Sequence, residues 1–284
     1  MQDKATSVCQ ILNYNDWSTT QKLVDSIIDY KNIDYILIID NNSTDNSLYQ
    51  LKNLYSENKK IKIVKTNKNG GYGYGNNFGV KYATKKLHAK YVIITNPDCY
   101  FSDSMIEKMK NLMDKKDAAL VSGVQTINNE VIKKVAWRIP TAIQCMFSDT
   151  KLENKFKYTY SNEELNSDVV EVDCVPGAMF LVDPQKFLSV GGYDERMFLY
   201  CEESVIGWKF KKNNMRTYLI TNLTYKHMHS MSINKNIPSI YRQQKYLMNS
   251  RFLFIKYYIG ASPSMQMIAR IFFKIKLQKI KNNI

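Results

Sequence analysis

Several acids and amides in this sequence are of the types, and at the spacing, that could bind a phosphorylated ligand and move a proton. Tyr35-Ile-Leu-Ile-Ile-Asp40 is an apolar run that stops on an acid and passes into Asn41-Asn42-Ser43-Thr44-Asp45-Asn46-Ser47. So short an Ile/Leu run, bounded by turn formers, predicts a strand buried on both faces of a parallel sheet. The carboxyl end of such a strand is where an open α/β sheet places its ligand crevice. Tyr91-Val-Ile-Ile-Thr-Asn-Pro-Asp98 repeats the pattern. If the two strands are neighbours, Asp40 and Asp98 line one crevice. A carboxylate that accepts from a base N–H can orient a pyrimidine. A carboxylate beside an amide, as in Asn96-Pro97-Asp98, can hold a hard divalent ion whose shell phosphate oxygens complete. Asn-Pro-Asp is also an ordinary turn, and Ser43 and Asp45 also suit helix caps.

Three further groups carry chemistry. Gly70-Gly71-Tyr72-Gly73-Tyr74-Gly75 matches neither common phosphate-loop pattern. It precedes a helix expected to begin at Asn76 and Asn77, whose free N–H groups would favour an anion; a flexible loop is the alternative. Gly192-Tyr-Asp-Glu-Arg-Met-Phe-Leu-Tyr-Cys-Glu202-Glu203 sets a carboxylate pair beside aromatic residues. Such a pair raises one pKa and supplies a general base, although an exposed Glu-Glu at a helix start is commoner. His227 and His229 follow a strand and would face alike, as metal ligands or as polar core residues.

The elements that must position these groups alternate. Strands are expected at Ser7–Leu12, around Asp40, at Ile61–Val64, from Tyr91 to Asp98 and at Ala118–Val124, with helices between them, the signature of βαβ units. Ser18-Thr-Thr-Gln21 fits a capping box for the first helix. Residues 126–168 show no clear period. Strand character returns from Val169 to Val182, broken at Pro176-Gly177, and again from Met215 to Tyr225. Helices are expected from Pro184, over Ser204–Lys212, from Pro238 with Arg251 on an otherwise apolar face, and beyond Pro263 with Ile268, Ile271, Phe272 and Ile275 as its stripe.

Composition bounds the class. The 284 residues, 44% hydrophobic, can build one large α/β domain with an appendage. No apolar run approaches the ~18 residues of a membrane span, and no signal peptide opens the chain, so a cytoplasmic protein is expected. The five cysteines are odd in number and lack Cys-x-x-Cys spacing, which predicts buried thiols. The net charge of +14 is lopsided: residues 204–284 hold fifteen Lys or Arg and no acid, while the first 203 carry 25 basic and 26 acidic side chains. Such a block faces polyanions, whether nucleic acid, anionic lipid or phosphorylated ligands.

Taken in order, these landmarks resemble glycosyltransferase family 2 over about residues 1–230. They are Asn13-Tyr14-Asn15 after the first strand, Asp40-Asn-Asn-Ser-Thr-Asp-Asn-Ser47, the Gly70–Asn77 stretch, Asn96-Pro97-Asp98 as the metal-binding motif in the form used by the rhamnosyltransferase-like branch, Pro176-Gly177-Ala178, Gly191–Glu203 and His227. The resemblance implies a GT-A fold, α/β and Rossmann-like, with a mostly parallel central sheet and flanking helices. Residues 1–232 would be the catalytic domain, with a nucleotide-binding half to about 125 and an acceptor-binding half beyond it. Residues 233–284 would be a basic helical appendage.

It further implies an inverting transfer of a sugar from a nucleotide-diphospho-sugar, dTDP-rhamnose or a UDP-sugar, to a hydroxyl of a glycan or lipid-linked acceptor in bacterial surface polysaccharide synthesis. Asn13, Asn15, Asp40, Asn42, Gly71, Asn76 and Asn96 would bind the nucleotide, with Asp40 reading the base and Arg251 a candidate diphosphate partner. Asp98, with His227, would hold Mg²⁺ or Mn²⁺. The family's base is usually Asp; here Glu203 stands at that position, with Glu202 the alternative, and Val205 replaces the next acid. The basic end would keep the enzyme peripheral at an anionic inner leaflet; no nucleic acid is expected and an oligomer is possible. Two rivals stay open: a sugar nucleotidyltransferase, which should carry a Gly-rich loop with Arg and Lys after the first strand, and a non-catalytic polyanion-binding protein, which leaves the acids of the first 203 residues unexplained.

Overall fold

The structure is a computed structural model that describes residues 6–228 and 236–282. In chain order the first part comprises β1 (Thr6–Asn13), α1 (Trp17–Ile27), β2 (Tyr35–Asp40), α2 (Ser47–Tyr55), β3 (Ile61–Lys65), α3 (Tyr72–Leu87), β4 (Ala89–Thr95), β5 (Cys99–Tyr100), α4 (Asp103–Lys116), β6 (Leu120–Ile127) and β7 (Glu130–Val131). Then follow α5 (Ala142–Phe147), β8 (Val169–Val172), β9 (Met179–Val182), α6 (Pro184–Ser189), α7 (Glu202–Lys212), β10 (Thr217–His227), α8 (Ile240–Tyr257) and α9 (Pro263–Asn282). One sheet runs β3-β2-β1-β4-β9-β6-β10-β5, with β7 on β6 and β8 on β10. The β3-β2-β1-β4 block and the β6–β10 pair are parallel; β9 lies antiparallel between them. Because β9 comes late in the chain yet pairs with β4, the sheet is continuous across position 125.

Alternation explains the sheet. Ile36 and Ile38 enter one core with Cys9, Ile11 and Ile93, while Leu37 and Ile39 enter the opposite core with Val8, Val92 and Ile94. Both faces are therefore covered, as the unbroken apolar runs require. A third core joins Met197 and Val205 of the sheet domain to Met248, Phe254 and Ile255 of α8 and Phe273 of α9. The C-terminal helices are thus joined to the sheet domain by shared apolar contacts.

Several expectations change. β1 lies between β2 and β4, so the strands preceding Asp40 and Asp98 are not neighbours. The fourth strand ends at Thr95 rather than at Asp98, because Pro97 cannot extend a ladder and the Cys99 N–H closes a turn on the Asn96 carbonyl (3.3 Å). α1 begins at Trp17, ahead of the supposed Ser18 cap, and the bonds of that box are not made at its N-terminus. The glycine stretch is not a loop before a helix starting at Asn76: α3 starts at Tyr72 and takes Gly73, Gly75, Asn76 and Asn77 into its first turns. The glycines there are a packing device. An added Cβ would stand 2.3 Å from Leu12 Cδ1 at Gly75 and 2.7 Å from Gln10 Oε1 at Gly79. Within 126–168 the chain forms α5, opened by a Thr141–Gln144 capping box. The stripe on α9 does not face inward as a unit: Ala269 and Phe273 are buried, whereas Ile268, Ile271 and Ile275 are exposed.

Candidate active site

The turn at Pro97 creates the site. After it, β5 pairs antiparallel with β10, placing His227 opposite Cys99. Asp98 is 4% exposed, and its Oδ1 lies 3.2 Å from His227 Nε2. The other face of the imidazole is held by Gln125, whose Nε2 is 3.0 Å from His227 Nδ1. Tyr225 in turn donates to Gln125 Oε1 (3.3 Å). These contacts hold the ring in one orientation; Nε2 can ligate a cation in the tautomer that carries its proton on Nδ1, which the Gln125 amide meets when its oxygen faces the ring. Asp98, Cys99 and His227 each offer a donor atom within 4.8 Å of the others. Burial pushes the Cys99 thiol well above its ordinary pKa, Asp98 adds to that, and Sγ lies 3.2 Å from the Ala178 carbonyl oxygen. The two groups that could hold a divalent cation are therefore the Asp98 carboxylate and the His227 imidazole, with phosphate and water oxygens free to complete the shell. His229 lies outside the described residues.

Asp98 and His227 stand at one end of a cleft of about 310 Å³. Its walls come from the carboxyl ends of the parallel strands: Tyr14 after β1, Asn41 after β2, Asn96 and Pro97 after β4. Asn69, Gly71 and Tyr72 close the α3 side, and Phe198, Asn236, Ile237, Arg242 and Tyr246 are among the remaining lining residues. Gly71 has φ +91, and its absent Cβ would lie 2.0 Å from the Phe198 carbonyl oxygen, to which Tyr72 N–H donates (3.0 Å). Only glycine allows this approach. Tyr246 stacks on Phe198 at 4.7 Å, which ties the α8 wall to the loop before α7.

The sequence-derived residues divide. Asn96, Asp98, Gly71 and His227 line the cleft. Asp40 does not: it is fully buried, accepting from Asn13 Nδ2 (3.1 Å) and from the Ser43 N–H (2.9 Å). Asn13 is equally buried and accepts from Thr20 Oγ1 (2.9 Å). Asn15, at φ 51, accepts from the Thr44 N–H (2.8 Å) and so clips the end of β1 to the loop that holds Asn42 at φ 60. Together Asp40, Asn13 and Asn15 shape the rim from below. Asn76 is committed to Gln10 Nε2 (2.8 Å) beneath α3 and does not reach the cleft. Arg251 is corrected as a diphosphate partner: it is buried, donates to the Ser148 carbonyl (3.1 Å) and pairs with Asp149, away from the cleft. The helical register of α8 brings Arg242 to the cleft instead.

Asn41, Asn69, Tyr72, Arg242 and Tyr246 are cleft residues that sequence reasoning missed. Asn41 was signalled by its place beside Asp40: its Nδ2 donates to Asn69 Oδ1 (3.1 Å) and to the Gly71 carbonyl (3.2 Å). Arg242 had no such signal.

Glu202 and Glu203 open α7 but line no part of the cleft. Tyr72, which does line it, donates its hydroxyl to the Gly177 carbonyl (2.7 Å), and Gly177 backs directly on Glu203. Burial raises both carboxyls, and the charge of Glu203 pushes Glu202 further, well above the usual carboxylate range. Glu202 Oε1 has no hydrogen-bond partner among the described residues.

A mostly parallel sheet with an antiparallel strand inserted, a cleft at its carboxyl edge and an acid–histidine pair on that cleft define the GT-A class of α/β fold. The mannosyltransferase PcManGT from Pyrobaculum calidifontis, solved with GDP-Man and Mn²⁺, shares this fold at a TM-score of 0.61, with 13% identity over 95% of this chain and 69% of that one. Residues 9–184 match Glycosyl transferase family 2, and the chain belongs to that family. It is 22% identical over 205 residues to the low-salt glycan biosynthesis hexosyltransferase Agl10 of Haloferax volcanii, covering 72% of this chain and 61% of that protein. It is 25% identical over 200 residues to the rhamnosyltransferase WbbL of Escherichia coli, covering 60% of this chain and 73% of that one. The chain thus spans less than two thirds of the first of these relatives. No helix among the described residues is long and apolar enough to cross a membrane.

Proposed function

We propose that this chain transfers a sugar, with inversion, from a nucleotide-diphospho-sugar to a hydroxyl of a glycan or lipid-linked acceptor in surface polysaccharide synthesis. One observation carries the reading: the Asp98–His227 pair stands on the cleft that the ends of β1, β2 and β4 form. Rhamnosyl and hexosyl relatives make a dTDP- or UDP-linked deoxyhexose or hexose the donor class to test first. Residues 1–232 act as the catalytic domain, and 233–284 as an appendage that lends Arg242 and Tyr246 to the cleft.

In this reading Asp98 and His227 hold Mn²⁺ or Mg²⁺. When bound, the ion would supply Lewis-acid stabilisation to the diphosphate leaving group. Arg242 offsets the remaining phosphate charge. Asn41 and Asn69, held to each other and to Gly71, present amide groups to the nucleotide, while Asp40, Asn13, Asn15 and Asn42 set the position of the rim from which a base is read. Glu203 takes the acceptor proton as the hydroxyl attacks the anomeric carbon. Tyr72 and the Pro176–Ala178 segment lie between Glu203 and the cleft, so acceptor binding must move them or enter beside them. The excess of positive charge after residue 203 draws the protein electrostatically toward an anionic inner leaflet.

The test is nucleoside diphosphate release from a panel of nucleotide sugars, with and without Mn²⁺, by wild type and Asp98→Asn. Metal-stimulated release from one donor, lost in the variant, is the expected result. Release from none, or equal release by the variant, overturns the reading.

A further inference from the structure

The outer face of α9 has no use in the site described above. Met267, Ile268, Ile271 and Ile275 are 59%, 54%, 50% and 52% exposed. At about 100° per residue they form one stripe about 100° wide. Arg270, Lys274 and Lys281 border it on one side and Lys279 on the other, all of them exposed. The opposite side of the helix, Ala269 and Phe273, is sunk in the core shared with α8. The helix is therefore fixed to the protein along one face and presents a basic-rimmed apolar face along the other.

A free apolar stripe of this kind calls for a cover. A second copy of the chain is a poor one, since pairing α9 with itself would bring basic rims together, and residues 204–284 contain no acid. An anionic lipid surface matches both parts: the headgroups neutralise the rims and the acyl boundary takes the isoleucines. We infer that α9 is an interfacial helix that inserts Met267, Ile268, Ile271 and Ile275 shallowly into an anionic bilayer. α8 packs along α9 and carries Arg242 and Tyr246 at its other end, so the docked protein would hold its cleft at a set position relative to the membrane. This goes beyond electrostatic attraction, because it requires the apolar residues. It builds on the transfer reading only in giving a lipid-linked acceptor its place.

The experiment is flotation of the full chain with vesicles of phosphatidylcholine alone and of phosphatidylcholine mixed with phosphatidylglycerol, alongside sedimentation velocity without lipid. The wild type should float with the anionic vesicles only. Arg270→Glu/Lys274→Glu should weaken partitioning about thirty-fold or more, each basic residue at the surface contributing a factor of about five. Ile271→Ser/Ile275→Ser should weaken it about ten-fold. All four positions are exposed, so circular dichroism should be unchanged. No binding by the wild type, or full binding by the isoleucine variant, overturns the inference. A lipid-free dimer that the isoleucine variant dissociates also overturns it, since the stripe would then be a self-contact. No nucleotide sugar is present, so failure here leaves the transfer reading standing, and Asp98→Asn should bind vesicles as the wild type does.

Discussion

Asp98→Asn removes one charge and almost no volume. The asparagine carbonyl can still accept from His227 Nε2, and the Asp98 backbone carbonyl still receives the Met228 N–H (3.0 Å). The fold should therefore persist, with a melting temperature within about 4 °C of wild type. The loss falls on charge. A unit pair about 4 Å apart at an effective dielectric near 20 is worth about 4 kcal/mol. At about 1.4 kcal/mol per decade, that predicts a drop of about 10³-fold in Mn²⁺-dependent transfer. Free Mn²⁺, followed by electron paramagnetic resonance, should titrate onto the wild type with nucleoside diphosphate present and fail to do so with the variant at the same concentrations. Activity within ten-fold of wild type, together with unchanged Mn²⁺ uptake, would refute the assignment, because it would mean that Asp98 faces no cation.

Glu203→Gln should lower kcat by about 10²–10⁴-fold, while Glu202→Gln should keep most of it; the reverse order would exchange their roles. The base must be ionised, and burial raises Glu203, so the acid limb of the kcat profile should sit above the ordinary glutamate range and activity should rise with pH through it. The sign for stability is opposite: between the unfolded and the raised folded pKa the native state holds the extra proton, so this pair's contribution falls as pH increases, which urea midpoints across that window would show. Gln125→Ala should weaken Mn²⁺ binding about 10–100-fold through loss of the ring's outer contact, with unaltered binding arguing that Gln125 does not position His227. Arg251→Met should cost about 1–3 kcal/mol by urea denaturation, since it removes the part-buried pair with Asp149 and leaves the Ser148 carbonyl only Lys276 Nζ (3.3 Å) as donor, and should leave KM for the donor unchanged; a large KM effect would return Arg251 to the nucleotide.

The position of Arg251 shows how far a helix pattern reaches. A cation on an apolar face was legible, but its partner, Asp149, is 102 residues away and lies in a stretch without periodicity. The same holds for Glu203 and Gly177, which meet only because β9 inserts beside β4 and α7 packs behind it. Conversely, the Asn-Pro-Asp turn and the histidine ending a late strand were readable as separate motifs, and the family resemblance put them together; no local pattern showed that β5 and β10 would pair them.

Local chemistry by itself determined the buried strands, since unbroken Ile and Leu runs have no stable place except between two covered faces, and it determined the acids that follow them, because polar turn residues end such runs. Charge placement was equally plain, being a matter of counting. Three-dimensional packing decided the rest. It set β1 between β2 and β4, turned the glycine stretch into a close-packed helix, withdrew Asp40 beneath the rim, and brought Arg242 rather than Arg251 to the cleft. It also left one side of α9 bare. The physical reason is that strand order, helix rotation and burial depend on contacts between residues far apart in the chain, and neither periodicity nor spacing encodes which distant partner a side chain will find.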